Sequence, residues 1–138
     1  MNICDIMTRN VFFVRPNTSV RDAAKLMHDE HVGALPVLEG DKVIGMITDR
    51  DICCKVTANY RDAMTTSVRE VMTNDIITCT SDQEISDVAF KMASHQVHRI
   101  AVLNNENKLA GIVSIDDMAK RSHDLASTVL EASSSPLH

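Results

Sequence analysis

A chain that writes the same pattern of residues twice in register builds one small unit twice. The stretch DIMTRNVFFV at 5–14 returns as EVMTNDIITC at 70–79, so that Met7 matches Met72, 65 positions further on. The register holds through Asp22 and Asp87, Ala24 and Ala89, Met27 and Met92, and Val37 and Val102. It then slips by one residue, because Gly45 matches Gly111, 66 positions on. A single insertion in a turn is what a surface loop tolerates. The repeat divides the chain into a first copy at 1–56, a linker at 57–66, a second copy at 67–121 and a tail at 122–138.

Both copies read as strand, helix, strand, strand, helix. In the second, Ser81-Asp82-Gln83-Glu84 has capping-box spacing ahead of Ile85, Val88, Ala89 and Met92, an apolar stripe at helical period. In the first, Asn17-Thr18-Ser19 offers caps for a stripe of Val20, Ala23, Ala24 and Met27. Two short apolar strands follow in each copy, Ala34–Leu38 with Val43–Ile47 and Ile100–Leu103 with Leu109–Val113, each pair joined by a polar turn. A last helix then starts near Asp49 or Ile115. One β-α-β-β-α unit has too little core to stand alone. The expected fold is therefore of α+β or α/β class, with two such units packed about a pseudo-two-fold axis.

Only 3% of the residues are aromatic, so the cores must be built from Val, Ile, Leu, Met and Ala. A formal net charge of -5 argues against a nucleic-acid or anionic-membrane partner. No apolar run approaches the roughly 18 residues of a membrane span, and the first ten residues lack a signal-peptide pattern. A cytoplasmic protein is expected. Cys4, Cys53, Cys54 and Cys79 lack metal-type spacing and read as reduced thiols.

The chemistry concentrates where the second strand of each pair ends. Gly45-Met46-Ile47-Thr48-Asp49-Arg50-Asp51 stands beside Gly111-Ile112-Val113-Ser114-Ile115-Asp116-Asp117, and both follow the pattern Gly-apolar-apolar-Thr/Ser-x-x-Asp. A hydroxyl at a helix start can donate to an anion that the free N–H groups also favour. An acid three residues on can accept both hydroxyls of a vicinal diol such as ribose. Equally, Thr48 and Ser114 can be plain caps, with Asp51 and Asp117 as first-turn acids. On residue type alone the two readings stand level. Arg50, between two acids, reads as an ion-pair partner.

The motifs Ile6-Met7-Thr8, Val71-Met72-Thr73, Gly33-Ala34-Leu35-Pro36-Val37, His98-Arg99-Ile100-Ala101-Val102 and the two Gly-x-x-Thr/Ser-x-x-Asp stretches come in the same order in both copies. In this the whole of 1–121 resembles a pair of cystathionine-beta-synthase-type (CBS) domains, a Bateman module. The stretch Thr48-Asp49-Arg50-Asp51 is similar to small stand-alone bacterial members. The resemblance implies a regulatory module that senses AMP, ADP, ATP, NAD or S-adenosylmethionine in clefts between the repeats. It implies ribose contacts from Asp51 and Asp117, and phosphate or ribose contacts from Thr48 and Ser114. Adenine would lie against Val14, Ala34, Leu35 and Pro36 in one copy, and against Cys79, Arg99 and Ile100 in the other. Where the first copy has Gly33-Ala34 the second has His98-Arg99, and Arg99 resembles a phosphate clamp; its alternative is a surface ion pair, with Asp116 as the candidate acid. Ala101 replaces Pro36 in the second copy, a departure from the pattern.

Other chemistries find less support. His28 with His31 and His95 with His98 have a spacing of three, which could share a metal on a helix. They also suit the negative end of a helix dipole. No Ser-His-Asp or Cys-His set assembles, no Gly-rich phosphate loop is present, and no enzyme is expected. The alternatives to a ligand sensor are a scaffold that lost ligand affinity and a metal-binding member of the same family. Ile3, Ile6, Ile52, Val71 and Met118 are expected as exposed apolar positions serving a homodimer that acts on an unidentified protein target. The tail from Ser127 to His138 is expected to be loose, with Leu125, Val129 and Leu130 able to add a short helix to a partner.

Overall fold

The computed structural model describes residues 1–121 and 123–133, apart from the side chains of His123, Leu125 and Ser133. Its residues gather into two compact units that cut across the sequence repeat. A central unit holds Phe12–Ile76, and a terminal unit joins Met1–Val11 to Ile77–His138. Each unit therefore combines the body of one sequence copy with the leading segment of the other.

In the central unit, helix α1 (Val20–Glu30) is followed by strands β1 (Ala34–Glu39) and β2 (Lys42–Thr48). The two strands pair antiparallel, and Val14 adds a parallel bridge to Val37. Helix α2 (Asp49–Asp51) runs directly into a π-helical stretch at Ile52–Thr57, and a short helix α3 (Val68–Val71) closes the unit. Ser19 caps α1 by accepting the Asp22 N–H at 3.1 Å. Val20, Ala23 and Met27 form its buried stripe. The helix stops at His31, whose φ of 56° is left-handed.

The terminal unit repeats this plan. A 3-10 turn at Ile3–Asp5 precedes strand β3 (Thr78–Thr80), helix α4 (Ile85–His95), strands β4 (Arg99–Leu103) and β5 (Leu109–Ser114), and helices α5 (Ile115–Ala119) and α6 (His123–Ser133). Strand β3 lies parallel to β4, and β4 antiparallel to β5. Both hairpins shift register at equivalent points, Val37/Leu38 and Val102/Leu103. The second strand carries one extra residue there, Ile44 or Ala110, just before the repeated glycine.

Those glycines explain the Met-Thr signature. Thr73 donates its N–H to the Met46 carbonyl at 2.8 Å, and Met46 donates back to the Thr73 carbonyl at 3.1 Å. Thr8 and Ile112 make the same pair, at 2.8 and 3.0 Å. So close an approach leaves no room for a side chain at the glycine beside it. A Cβ on Gly45 would stand 2.9 Å from the Thr73 oxygen, and one on Gly111 2.6 Å from the Thr8 oxygen. Met72 and Met7 cover the same two glycines with their thioethers.

Several expectations change. The capping box does not form at Ser81: α4 is preceded by Glu84 without a side-chain cap, and Gln83 turns back to accept the Thr80 N–H at 2.9 Å. Ser81 is held at the strand end, where its N–H donates to the Leu103 carbonyl at 3.0 Å. Residues 57–66 pack on the start of α1. Val20 donates to the Thr66 carbonyl at 2.9 Å, Arg21 donates to that of Ala63 at 3.0 Å, and Thr66 is buried. Ile3, Val71 and Met118 are buried in the unit cores and supply no surface for a homodimer; Ile6 and Ile52 are half-buried. The tail is not loose through 133: α6 lies against α4 and α5, with Ala126 and Val129 buried and Leu130 exposed. Positions 134–138 and the side chain of Leu125 lie outside the described residues.

Both glycine contacts are with backbone oxygens, which a side-chain rotation cannot relieve. Gly111→Ala is expected to destabilise the protein by about 2–3 kcal/mol, and Gly45→Ala by about 1–2 kcal/mol. Urea denaturation measures this, and an unchanged midpoint for Gly111→Ala would contradict the seating of the Met-Thr segment on its strand.

Candidate functional site

At the end of β2, Thr48 turns the chain into α2. The Thr48 Oγ1 accepts the Asp51 N–H at 3.1 Å, and Asp51 Oδ2 accepts the Thr48 N–H at 2.9 Å. At the end of β5, Ser114 Oγ accepts the Asp117 N–H at 3.2 Å and Asp117 Oδ2 accepts the Ser114 N–H at 2.9 Å. The repeated hydroxyl and acid are thus two reciprocal capping boxes. This local role accounts for their spacing of three.

The backbone half of the anion-site expectation does not survive. Asp49 N–H donates to the Gly33 carbonyl at 2.9 Å and Arg50 N–H to Asp49 Oδ1 at 2.8 Å. In the terminal unit, Ile115 N–H donates to the His98 carbonyl at 2.9 Å. These donors are consumed within the corners, and α5 has only five residues over which a dipole can build. In the central corner this leaves an anion contact to side chains.

The acids retain acceptor capacity, because a carboxylate offers about four lone-pair sites. Asp117 is half-buried. Its Oδ2 takes the Ser114 N–H and also the Ser114 hydroxyl at 3.1 Å, while its Oδ1 meets the Thr8 hydroxyl at 3.5 Å. That distance is long for an O–H···O bond. Asp51 is more enclosed, with 8% of its surface exposed. Its Oδ1 lies 3.0 Å from the ammonium of Lys55, which also donates to the Val71 carbonyl at 2.9 Å. Spacing alone offered Lys55 as a partner, four residues on from Asp51. Thr8 carried no local signal, since it reaches Asp117 across 109 positions.

Strand register brings further candidates to the corners. Arg99 is the direct cross-strand partner of Ser114, and Ala34 that of Thr48. Arg99 and His98 are exposed. Among the described residues no acid, Asp116 included, is paired with Arg99, and Arg50 likewise has no acidic partner. The apolar candidates lie deeper. Val14, Ala34, Leu35, Pro36, Cys79 and Ile100 are all buried, and Val14, Leu35, Cys79 and Ile100 belong to the unit cores. The Pro36 carbonyl is taken by the Val14 N–H at 3.0 Å. Burial pushes the Cys79 thiol up to about 11, partly opposed by Lys91.

The first histidine of each pair turns to its own helix. His28 Nδ1 sits 3.2 Å from Asp29 Oδ1, and His95 Nδ1 is 2.9 Å from the Lys91 carbonyl. Among the described residues, no three His, Cys, Asp or Glu side chains gather as a metal site would need. Also among them, no helix is long and apolar enough to cross a membrane.

Two hairpin units, each ending in a capped hydroxyl-acid corner, define a CBS domain pair. The CBS domain model matches residues 3–57 and again 68–124, and the chain belongs to that family. It is 39% identical over 118 residues to the CBS domain-containing protein YhcV of Bacillus subtilis, covering 86% of this chain and 83% of that protein. Hypoxic response protein 1 of Mycobacterium tuberculosis is 34% identical over 117 residues, 84% of this chain and 81% of that one. The crystal structure of Hypoxic Response Protein I with two coordinated zinc ions matches with a TM-score of 0.80 and 31% identity, over 88% of this chain and 99% of that chain. The CBS domain pair of protein MJ0100, in complex with methylthioadenosine and S-adenosylmethionine, matches with a TM-score of 0.78 and 26% identity, over 87% of this chain and 94% of that chain.

Two outcomes check this geometry. Ser114→Ala removes a cap and is expected to cost about 1 kcal/mol in urea denaturation. Alkylation near pH 8, followed by peptide mapping, is expected to label the exposed Cys53 and Cys54 first. Cys79 reacts only on unfolding; labelling of native Cys79 at the rate of Cys53 would contradict its burial.

Proposed function

We propose that this chain is a regulatory ligand sensor, not an enzyme, and that its ligand is an adenine nucleotide or adenosyl compound such as AMP, ADP, ATP, NAD or S-adenosylmethionine. The observation that carries the reading is the Asp117 corner. There a half-buried carboxylate keeps one oxygen that meets only a hydroxyl at 3.5 Å. A ribose diol reaching Oδ1 gains an ionised acceptor at the cost of that long contact. Arg99, across the strand from Ser114, brings a planar guanidinium to the same corner for a phosphate or carboxylate.

The adenosyl class is supported by the likeness to the MJ0100 pair, which holds methylthioadenosine and S-adenosylmethionine. Thr48 and Asp51 repeat the capped hydroxyl-acid corner in the central unit, there with Lys55 facing the acid. The buried positions Val14, Ala34, Leu35, Pro36, Cys79 and Ile100 serve the adenine through their backbone and by shaping the wall, and His98 flanks the phosphate side. A homodimer in the cytoplasm, acting on a protein target, completes the reading. Binding then shifts a conformational population that the target reads.

Calorimetric titration with AMP, ATP, NAD, S-adenosylmethionine and methylthioadenosine tests it. At least one is expected to bind with a sub-millimolar Kd. Asp117→Asn keeps an acceptor for the cap and is expected to weaken that binding about tenfold or more. Arg99→Ala is expected to weaken the phosphorylated compounds more than methylthioadenosine. No heat and no thermal shift with all five would leave a scaffold in place of a sensor.

A further inference from the structure

The two corners share one backbone plan but differ in what faces the acid. In the terminal unit the second oxygen of Asp117 meets a neutral hydroxyl, that of Thr8, at 3.5 Å. In the central unit the second oxygen of Asp51 meets an ammonium, that of Lys55, at 3.0 Å. The ammonium is held from two sides, because it also donates to the Val71 carbonyl at 2.9 Å. The Asp51 side chain is 11% exposed, so this contact sits behind the surface on the acid's side. Arg121 occupies the place of Lys55 in the second copy, and among the described residues no ion pair joins it to Asp117.

We propose that Lys55 is a built-in counter-ion that occupies the Asp51 carboxylate in a ligand's stead, so that each chain takes one adenosyl ligand, at the Asp117 corner. The proposal rests on the sensor reading given above. A diol reaching Asp51 must displace a charge-assisted bond from an ammonium that the Val71 carbonyl also holds in place. A diol reaching Asp117 displaces a long, neutral contact. The asymmetry also selects the ligand. The central corner already carries its own positive charge, whereas the terminal corner offers Arg99 to the anionic end of an incoming molecule.

Counting bound equivalents on the full chain tests this, with S-adenosylmethionine, methylthioadenosine and AMP as probes in equilibrium dialysis. The wild type is expected to take one equivalent, lost in Asp117→Asn. Lys55→Met is expected to take two, and the second is expected to disappear when Asp51→Asn is added. Two equivalents in the wild type, or one in a folded Lys55→Met chain, overturns the counter-ion role and leaves the sensor reading standing. A single wild-type equivalent that survives Asp117→Asn overturns this proposal and the Asp117 corner as the diol site together, although an adenosyl ligand is still bound. Absence of binding by all three probes to every form defeats the sensor reading, and this proposal with it. If Lys55→Met does not fold, Lys55→Gln keeps a neutral donor for the Val71 carbonyl and carries the same count.

Discussion

The structure depends on one close backbone approach made twice. A Met-Thr segment lies across the second strand of a hairpin, and two N–H···O=C bonds tie them together beside a glycine. Only a residue without a Cβ lets the carbonyl come that near. The hairpin, its bulge and the following corner are all positioned by that contact. The segment that supplies it comes from the other sequence copy, so the chain closes each unit with a piece from the far side of the repeat. Neither copy, cut out at its sequence boundary, would carry its own Met-Thr strap.

Function is built on the same economy. The hydroxyl and acid that end each second strand first stabilise the chain, as reciprocal caps that satisfy the backbone at a sharp corner. A carboxylate used this way still has lone pairs to offer. What separates the two corners is then the third party facing the acid. In the central unit it is a lysine one helical turn on, and in the terminal unit a threonine from the strap. The π-helical stretch after Asp51 begins at Ile52 and includes that lysine, which also anchors the end of α3. A wide turn of this kind often marks a place where a helix serves something besides its own packing.

The cores follow from composition with little freedom. With almost no aromatic residues, two aliphatic clusters form, one in each unit, and methionines fill the strap contacts. The few large apolar side chains left on the surface, among them Phe12, Phe13, Phe90 and Leu130, are not among Ile3, Ile6, Ile52, Val71 and Met118, the positions expected there. Ile3 and Val71 were expected on the exposed faces of the terminal helices of each copy. They are buried because the segments that carry them are the straps.

From the sequence alone came α1, α4, the two hairpins and the corner helices in their order. The leading strand expected in the first copy is reduced to the Val14 bridge, and α3 was not foreseen. Residue period sets the apolar stripes of α1 and α4, the turns between strands set the hairpins, and the spacing of three between hydroxyl and acid sets the corner caps. All of these are local, and local rules act on neighbours that the sequence displays side by side. Pairings across long separations were not legible. Met7-Thr8 and Met72-Thr73 are nearly the same text, so either could serve either hairpin, and only the folded chain assigns each to its partner. The same holds for Thr8 against Asp117 and for Arg99 against Ser114. Tertiary structure also decided that the Asp49 and Ile115 N–H groups are already taken by the Gly33 and His98 carbonyls. The physical reason is common to all of them: a hydrogen-bond donor is committed by whatever the fold brings within 3 Å or so, and that depends on the whole chain.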